Sequence, residues 1–393
     1  MRGLEVVDSS SSRPRDDPDK SAPVNPRRSS HRCCIRFHGL RLATCSLDQR
    51  IKTWTLDETT GNWASDDDWK AHDAPVCRLS WAHPEYGTIL ASCSFDKTVK
   101  IWEEGGVEPA RGSDANAGSR WRERATLSES RTTGASVRAV EFAPRQFGLK
   151  LAVLSSDSIL RIYDCVELHN LATWNLTFTI DVRLLQPPST PPMSTTDMFA
   201  APGTSLGASS NGKSYGSSVT GGRPGKREAD GGWSISWCKD ATTGQLIAVA
   251  ADTYGLVRVL QLSDSRSHKT VFTLPPNASG ATDSPAITTV AWAPLCGRRF
   301  HLIATGGREG KVNIWKISPP HTNVTTEWSV NLAGTFDDHQ SAVTRVEWNV
   351  TGTILSSAGN DGNIRLWRST YGGIWRTMGH IHTEHGDDEE MHE

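Results

Sequence analysis

The sequence predicts an all-β fold, a six-bladed β-propeller, and two observations carry that prediction. An acidic residue stands six positions ahead of an aromatic five times, in Asp48 to Trp54, Asp96 to Trp102, Asp157 to Tyr163, Glu309 to Trp315 and Asp361 to Trp367. Each copy opens with a strand-like run of small or β-branched residues: LATCS, LASCS, LAVLSS, LIATGG and LSSAG. A sixth, weaker copy reads LIAVAADTYGLVRVL, where Asp252 precedes Val259 by seven and no aromatic closes the strand. Recurrence at a period of ~40–45 residues is the mark of a propeller, one blade per repeat.

The fullest copy is Trp69 to Glu104. Ala74–Trp81, Ile89–Cys93 and Thr98–Trp102 read as strands, and Phe95-Asp96-Lys97 leaves room only for a tight turn in which an aspartate accepts backbone hydrogen bonds. The pattern resembles the WD-repeat family. That resemblance implies a buried hydrogen-bonded tetrad, here His72, Ser92, Asp96 and Trp102, repeated as His339, Ser357, Asp361 and Trp367.

In chain order, residues 1–30 are rich in Ser, Pro, Asp and Arg and have little to bury, so a disordered tail is expected. Arg27-Arg28 is too short a basic run for a convincing nuclear signal. The propeller spans 31–375. Blade 1 has only Cys34-Ile35-Arg36-Phe37 ahead of LATCS and is expected to be incomplete, with a short first strand or none. Trp121–Leu127 supplies the outer strand of blade 2. Blade 3 runs from Val137 to Tyr163, with Trp174–Ile180 outermost. A Pro/Ser/Thr/Gly-rich insertion at about 186–231, expected to be disordered, lies in the first connection of blade 4, which resumes at Trp233–Trp237. Blade 5 covers Ile287–Ile317 and blade 6 His339–Trp367, with Ile374-Trp375 as its outer strand; 376–393 is expected to be a disordered acidic, histidine-rich tail.

Composition narrows function. A formal charge of -2 over 393 residues gives no general attraction for nucleic acid, and the Lys and Arg residues form no basic stripe. No apolar run of 18 residues and no leader-like apolar core is present, so neither membrane insertion nor secretion is expected. The eight cysteines form no C-x-x-C pair. Cys33-Cys34 lacks further ligands at zinc spacing, and His380, His382, His385 and His392 have nothing local to order them around a metal. No cofactor is expected. Ser92, His72 and Asp96 already have a structural role, and GGREGK at Gly306–Lys311 lacks the Ser/Thr and helix of a phosphate-binding loop, so the chain is read as non-enzymatic.

SWAHPEYG and LASCSFDKTVKIWEE, within Trp69–Glu104, resemble the Seh family of nucleoporins and its relative, the WD-repeat protein of the COPII outer coat. Phe142–Tyr163, Trp292–Ala304 and Trp348–Trp367 favour the Seh family. The resemblance implies a scaffold protein at the nuclear envelope. There an α-helical scaffold nucleoporin inserts a blade in trans between blades 1 and 6, and the pair joins other nucleoporins of the Y-shaped pore subcomplex. It also implies a second home in the SEA/GATOR complex, which regulates TOR signalling at the vacuole or lysosome. The alternative is the COPII coat subunit. A ubiquitin-ligase receptor fits less well, because Trp102-Glu103-Glu104, Trp54-Thr55-Leu56 and Trp367-Arg368-Ser369 lack the Trp-Asp-x-Arg of such receptors.

Physical reasoning gives the same open ring. A propeller closes when its first and last blades share strands, and neither tail of this chain offers a strand to share. Exposed strand edges then invite β-augmentation by a partner, docking along Ile35, Phe37, Leu42 and Trp54 of blade 1 and the facing edge of blade 6.

Overall fold

The computed structural model describes residues 32–35, 39–105, 119–128, 134–185, 231–252, 255–263, 266–276, 285–320 and 327–382. Residues 1–31, the 186–230 segment, Phe37 and residues 383–393 lie outside these residues, as do the readings of disorder made for 1–30, for the insertion and for the end of the chain; residues 376–382, expected in the disordered tail, are described and belong to a strand.

Six antiparallel four-stranded sheets form the blades, each built from consecutive strands. Blade 1 holds β1 (Arg32–Ile35), β2 (Arg41–Cys45), β3 (Arg50–Leu56) and β4 (Trp63–Lys70); blade 2 holds β5 (Val76–Trp81), β6 (Ile89–Ser94), β7 (Thr98–Glu104) and β8 (Trp121–Ser128). Blade 3 holds β9 (Val137–Phe142), β10 (Lys150–Ser155), β11 (Ile159–Asp164) and β12 (Asn175–Asp181), and blade 4 holds β13 (Gly232–Trp237), β14 (Gln245–Asp252), β15 (Val257–Leu262) and β16 (His268–Leu274). Blade 5 holds β17 (Ile287–Trp292), β18 (His301–Gly307), β19 (Val312–Ser318) and β20 (Ser329–Phe336); blade 6 holds β21 (Val343–Trp348), β22 (Ile354–Gly359), β23 (Asn363–Ser369) and β24 (Trp375–His382).

In four of the repeats the acidic residue sets the turn between the second and third strands. Asp48, Asp96, Asp157 and Asp361 each accept, through Oδ1, the backbone N–H two residues on, at 3.0, 2.9, 3.2 and 3.1 Å. The next residue takes a left-handed backbone in all five strong repeats: Gln49, Lys97, Ser158, Gly310 and Gly362. Gly310 is required twice over, since a Cβ there would meet the His339 carbonyl oxygen at 2.1 Å.

Second and third strands supply the core. Ala91, Cys93, Val99 and Ile101 of blade 2 are sealed against blade 3, and Ala304, Val312 and Ile314 of blade 5 against blade 6. In blade 4 the place of the closing aromatic is filled by Leu260, one residue beyond the Val259 expected. Leu260 lies on the face turned to blade 3, whereas Val259 packs with Val290 and Trp292 of blade 5.

Three expectations are corrected at the ends of the chain. Blade 1 is complete in strand number; only its first strand is short, four residues where every other first strand has six. That strand is Arg32–Ile35 and not Cys34–Phe37, because its partner β2 fixes the register from Arg32↔Cys45 to Ile35↔Leu42. The outer strand of blade 6 is not the pair Ile374-Trp375. It runs from Trp375 to His382, paired from Ser369↔Trp375 to Asn363↔His382, so the domain passes the boundary at 375 and takes in His380.

Blade 1 is fastened to blade 2 by a charge network that the sequence did not announce. Arg41 donates to Glu104 at 2.5 Å and to Asp66 at 2.6 Å, and Arg120 reaches the other oxygen of Asp66. Burial alone would lower the pKa of Arg41, but Glu104 and Asp66 outweigh it and hold the pKa above its ordinary value. Replacing Arg41 with Met leaves the two partly buried carboxylates of Asp66 and Glu104 with Arg120 as their remaining cation, at an expected cost of about 1 kcal/mol. Hydrogen exchange should then accelerate in β2–β4 and stay unchanged in blades 3–5.

Candidate functional site: the two unmatched blade faces

The His–Ser–Asp–Trp residues of blades 2 and 6 come together as hydrogen-bonded chains. His72 Nδ1 lies 2.8 Å from the Asp96 carboxylate and Nε2 lies 2.7 Å from Ser92 Oγ, which accepts Trp102 Nε1–H at 2.9 Å. With Asp96 ionised, Nδ1–H donates to it, Ser92 O–H donates to Nε2, and the indole N–H fills the remaining acceptor position on Oγ. His339, Asp361, Ser357 and Trp367 repeat the arrangement at 3.1, 2.8 and 2.9 Å. The atom order is that of a nucleophile, base and acid, but Ser92 Oγ is buried and committed to both neighbours. This group ties the strands of its blade together through buried, mutually satisfied hydrogen bonds.

Burial raises the pKa of Asp361, but the Asn363 backbone N–H and the His339 ring outweigh it and bring the carboxyl from 3.8 to about 2. Asp96 is held lower still: burial opposes ionisation there, and His72 and Thr98 overcome it. A depressed folded-state pKa gives stability that is complete above the ordinary value and lost as pH falls through the folded one. Thermal stability should therefore drop between about pH 4 and 2. The drop should be shallower in an Asp361→Asn variant, whose loss is already present at neutral pH.

The indole–hydroxyl bond also occurs where no histidine is present. Trp315 Nε1 donates to Thr305 and Trp54 Nε1 to Thr44, both at 3.0 Å. In blades 2, 5 and 6 the tryptophan packs against the preceding blade and is 2%, 7% and 0% exposed. Among the described residues no blade precedes blade 1, and Trp54 is only half-buried. Leu42 is its cross-strand partner and Ile35 is the partner of Leu42, so three of the expected docking positions form one row across β1–β3. Ala43, Cys45 and Ile51, on the opposite face, are sealed against blade 2.

Blade 6 shows the complementary gap. Its Leu355 and Trp367 are buried against blade 5. The other face holds Ser356 opposite Leu366 and Ala358 opposite Ile364, positions that match Ala91–Ile101 and Cys93–Val99 of blade 2. The blade 2 residues are at most 1% exposed, whereas all four in blade 6 are half-exposed. First strands pack in succession, β1 on β5, β5 on β9, β9 on β13, β13 on β17 and β17 on β21, with no comparable packing of β21 on β1 among the described residues. The expectation of exposed strand edges is thereby corrected. Each terminal blade already has four strands, and among the described residues what lacks a neighbour is a whole sheet face on either side.

Comparisons with known proteins agree with this architecture. The family model described as "WD domain, G-beta repeat" matches residues 65–103 and 331–368, which contain the tetrad turns of blades 2 and 6. A solved β-propeller domain of Cps50 (Swd1) from Myceliophteria thermophila superposes with a TM-score of 0.56 over 91% of this chain and 89% of that one; at 14% identity the likeness is one of fold. The curated relative "Nucleoporin SEH1" of Saccharomyces cerevisiae is 33% identical over 88% of this chain and 95% of its own length. The human protein of the same name is 32% identical over 89% and 84%, and "Nucleoporin SEH1-A" of Xenopus laevis gives the same figures. Identity of 32–33% sustained over 88–89% of this chain and 84–95% of the relatives' own length places the chain in the SEH1 family of WD-repeat nucleoporins.

Proposed function

We propose that this chain is a non-enzymatic scaffold subunit of the nuclear pore complex, an open propeller that a partner completes by inserting a blade between blade 6 and blade 1. The observation that carries the reading is Trp54, half-exposed at a position that a preceding blade seals in blades 2, 5 and 6. A large aromatic and the apolar pair Ile364 and Leu366 on facing ends of one ring form a slot with the chemistry of an interior. The occupant is a β-blade carried by an α-helical scaffold nucleoporin, within the Y-shaped subcomplex. A second assembly, SEA/GATOR at the vacuole or lysosome, uses the same slot.

Affinity purification of the tagged chain, with mass spectrometry of its companions, tests this. Helical scaffold nucleoporins are the expected result, with SEA/GATOR subunits beside them. Recovery of COPII coat rod subunits alone would overturn the assignment in favour of the coat, and a chain that retains no partner would overturn insertion altogether.

A further inference from the structure

The first strands of successive blades are stitched by a repeated device: a side-chain acceptor on one blade receives a backbone N–H from the first strand of the next. Ser80 of blade 2 accepts Phe142 N–H at 3.0 Å, and Glu141 of blade 3 accepts Trp237 N–H at 3.1 Å. Ser234 and Ser236 of blade 4 accept Val290 and Trp292 N–H at 3.1 and 2.9 Å, and Thr289 of blade 5 accepts Val346 N–H at 3.3 Å. Each of blades 2 to 5 supplies at least one such acceptor, at one of two positions set by register. Ser80 and Glu141 face Ala91 and Ala152 on the second strand; Thr289, two residues ahead of Ala291, faces Gly306.

In blade 6 the same two positions are Glu347, facing Ser356, and Arg345, facing Ala358. Arginine can only donate, so Glu347 is the one acceptor. Among the described residues no blade follows to use it. Its carboxylate is 60% exposed and turns back to Arg345 of its own strand at 3.0 Å. An exposed pair of this kind contributes little to stability, so stability alone gives no reason for an acceptor at this position.

We infer that Glu347 is a latch for the inserted blade: its carboxylate receives a backbone N–H from the first strand of that blade, as Glu141 receives Trp237 N–H. This rests on the insertion reading above and adds to it a residue, a bond and a constraint on the partner. The donor is a main-chain amide at the position equivalent to Phe142 or Trp237, so that residue of the partner is not proline. Arg345 gives up its surface contact when the N–H arrives. Because the slot excludes water once filled, an amide left there without its acceptor carries the full cost of desolvation.

The test is the affinity of the full-length chain for the helical scaffold nucleoporin recovered with it, measured by biolayer interferometry. Glu347→Ala should weaken binding by about tenfold or more, the effect of removing a charged acceptor from a buried amide. Glu347→Ser and Glu347→Gln, which keep an acceptor oxygen as Ser80 and Ser236 do, should stay within about threefold of wild type. Arg345→Met should bind at least as tightly as wild type, because it frees Glu347. The melting temperature of the unbound chain should not respond to Glu347→Ala. Equal affinity of wild type and Glu347→Ala would overturn the latch and leave insertion standing. Equal weakening by Arg345→Met would assign the effect to the surface ion pair, and a fall in melting temperature of the unbound chain would assign it to the blade itself; either overturns the latch. A wild-type chain that captures no nucleoporin overturns insertion first, and the latch with it.

Discussion

Trp102→Ala and Trp367→Ala are each expected to cost ~3–5 kcal/mol, the range for removing a buried tryptophan from a core that closes only partly over the space. Trp102 bridges two blades. Its ring meets Trp69 edge-on at 5.6 Å, Trp69 stacks on Trp121 at 5.2 Å, and Trp121 lies 5.6 Å from Trp81. Removing one indole from this group opens a void between stiff rings that have few other rotamers to adopt. Ser92 also loses its indole donor while keeping His72. Trp367 stacks on Phe336 at 4.1 Å and seals blade 6 to blade 5. For a domain of this size the cost should lower the melting temperature by about 5–10 °C in each case. Trp54→Ala is the internal control: its indole makes the same hydrogen bond to a hydroxyl but packs against no preceding blade among the described residues, so the substitution should cost about 1 kcal/mol in the unbound chain. Calorimetry that ranks the three substitutions equally would refute the assignment of Trp54 to an uncovered face.

The sequence displayed what repeats and hid what does not. The Asp-to-aromatic spacing located the turn and the closing aromatic in blades 1, 2, 3, 5 and 6, because a tight turn and a strand of fixed length leave no freedom between them. Blade 4 broke the spacing. Leu260 fills the place of the aromatic by hydrophobic size alone, and a leucine among many aliphatic neighbours carries no signal of register. The row Ile35–Leu42–Trp54 was legible as apolar residues near a damaged repeat, but edge or face could not be told from composition. A complete blade and an incomplete one differ only in whether Arg32–Ile35 pairs with β2. The Arg41 network and the acceptors that join one blade to the next were not legible. They connect residues between 25 and 96 positions apart, as in Arg41 with Asp66 and Glu141 with Trp237. No local pattern records which blade face a serine or a glutamate will meet.

The largest effect on function is expected from placing charge on the two uncovered faces. Trp54→Glu puts a carboxylate in the row made by Ile35, Leu42 and Trp54, and Leu366→Glu does the same between Ser356 and Gly379 on blade 6. In the unbound chain both positions are already half-exposed, so the new carboxylate keeps part of its hydration and folding should survive. Once a blade enters the slot that hydration is lost, and an unpaired charge under an apolar surface costs several kcal/mol, about a hundredfold or more in affinity. Each single variant should lose most of the nucleoporin retained by wild type, and the pair should lose all that can be detected. Leu332→Glu is the control. That leucine is 52% exposed on the outer strand of blade 5, away from either uncovered face, and its substitution should leave retention unchanged. If Trp54→Glu and Leu366→Glu bind as wild type does while Leu332→Glu does not, the partner docks on the outer rim and the slot has another use. If all three retain the partner, neither surface is the interface. The prediction is asymmetric in a useful way: loss confined to the two inner-facing variants requires that one occupant touch both blade 1 and blade 6, which only an object seated between them can do.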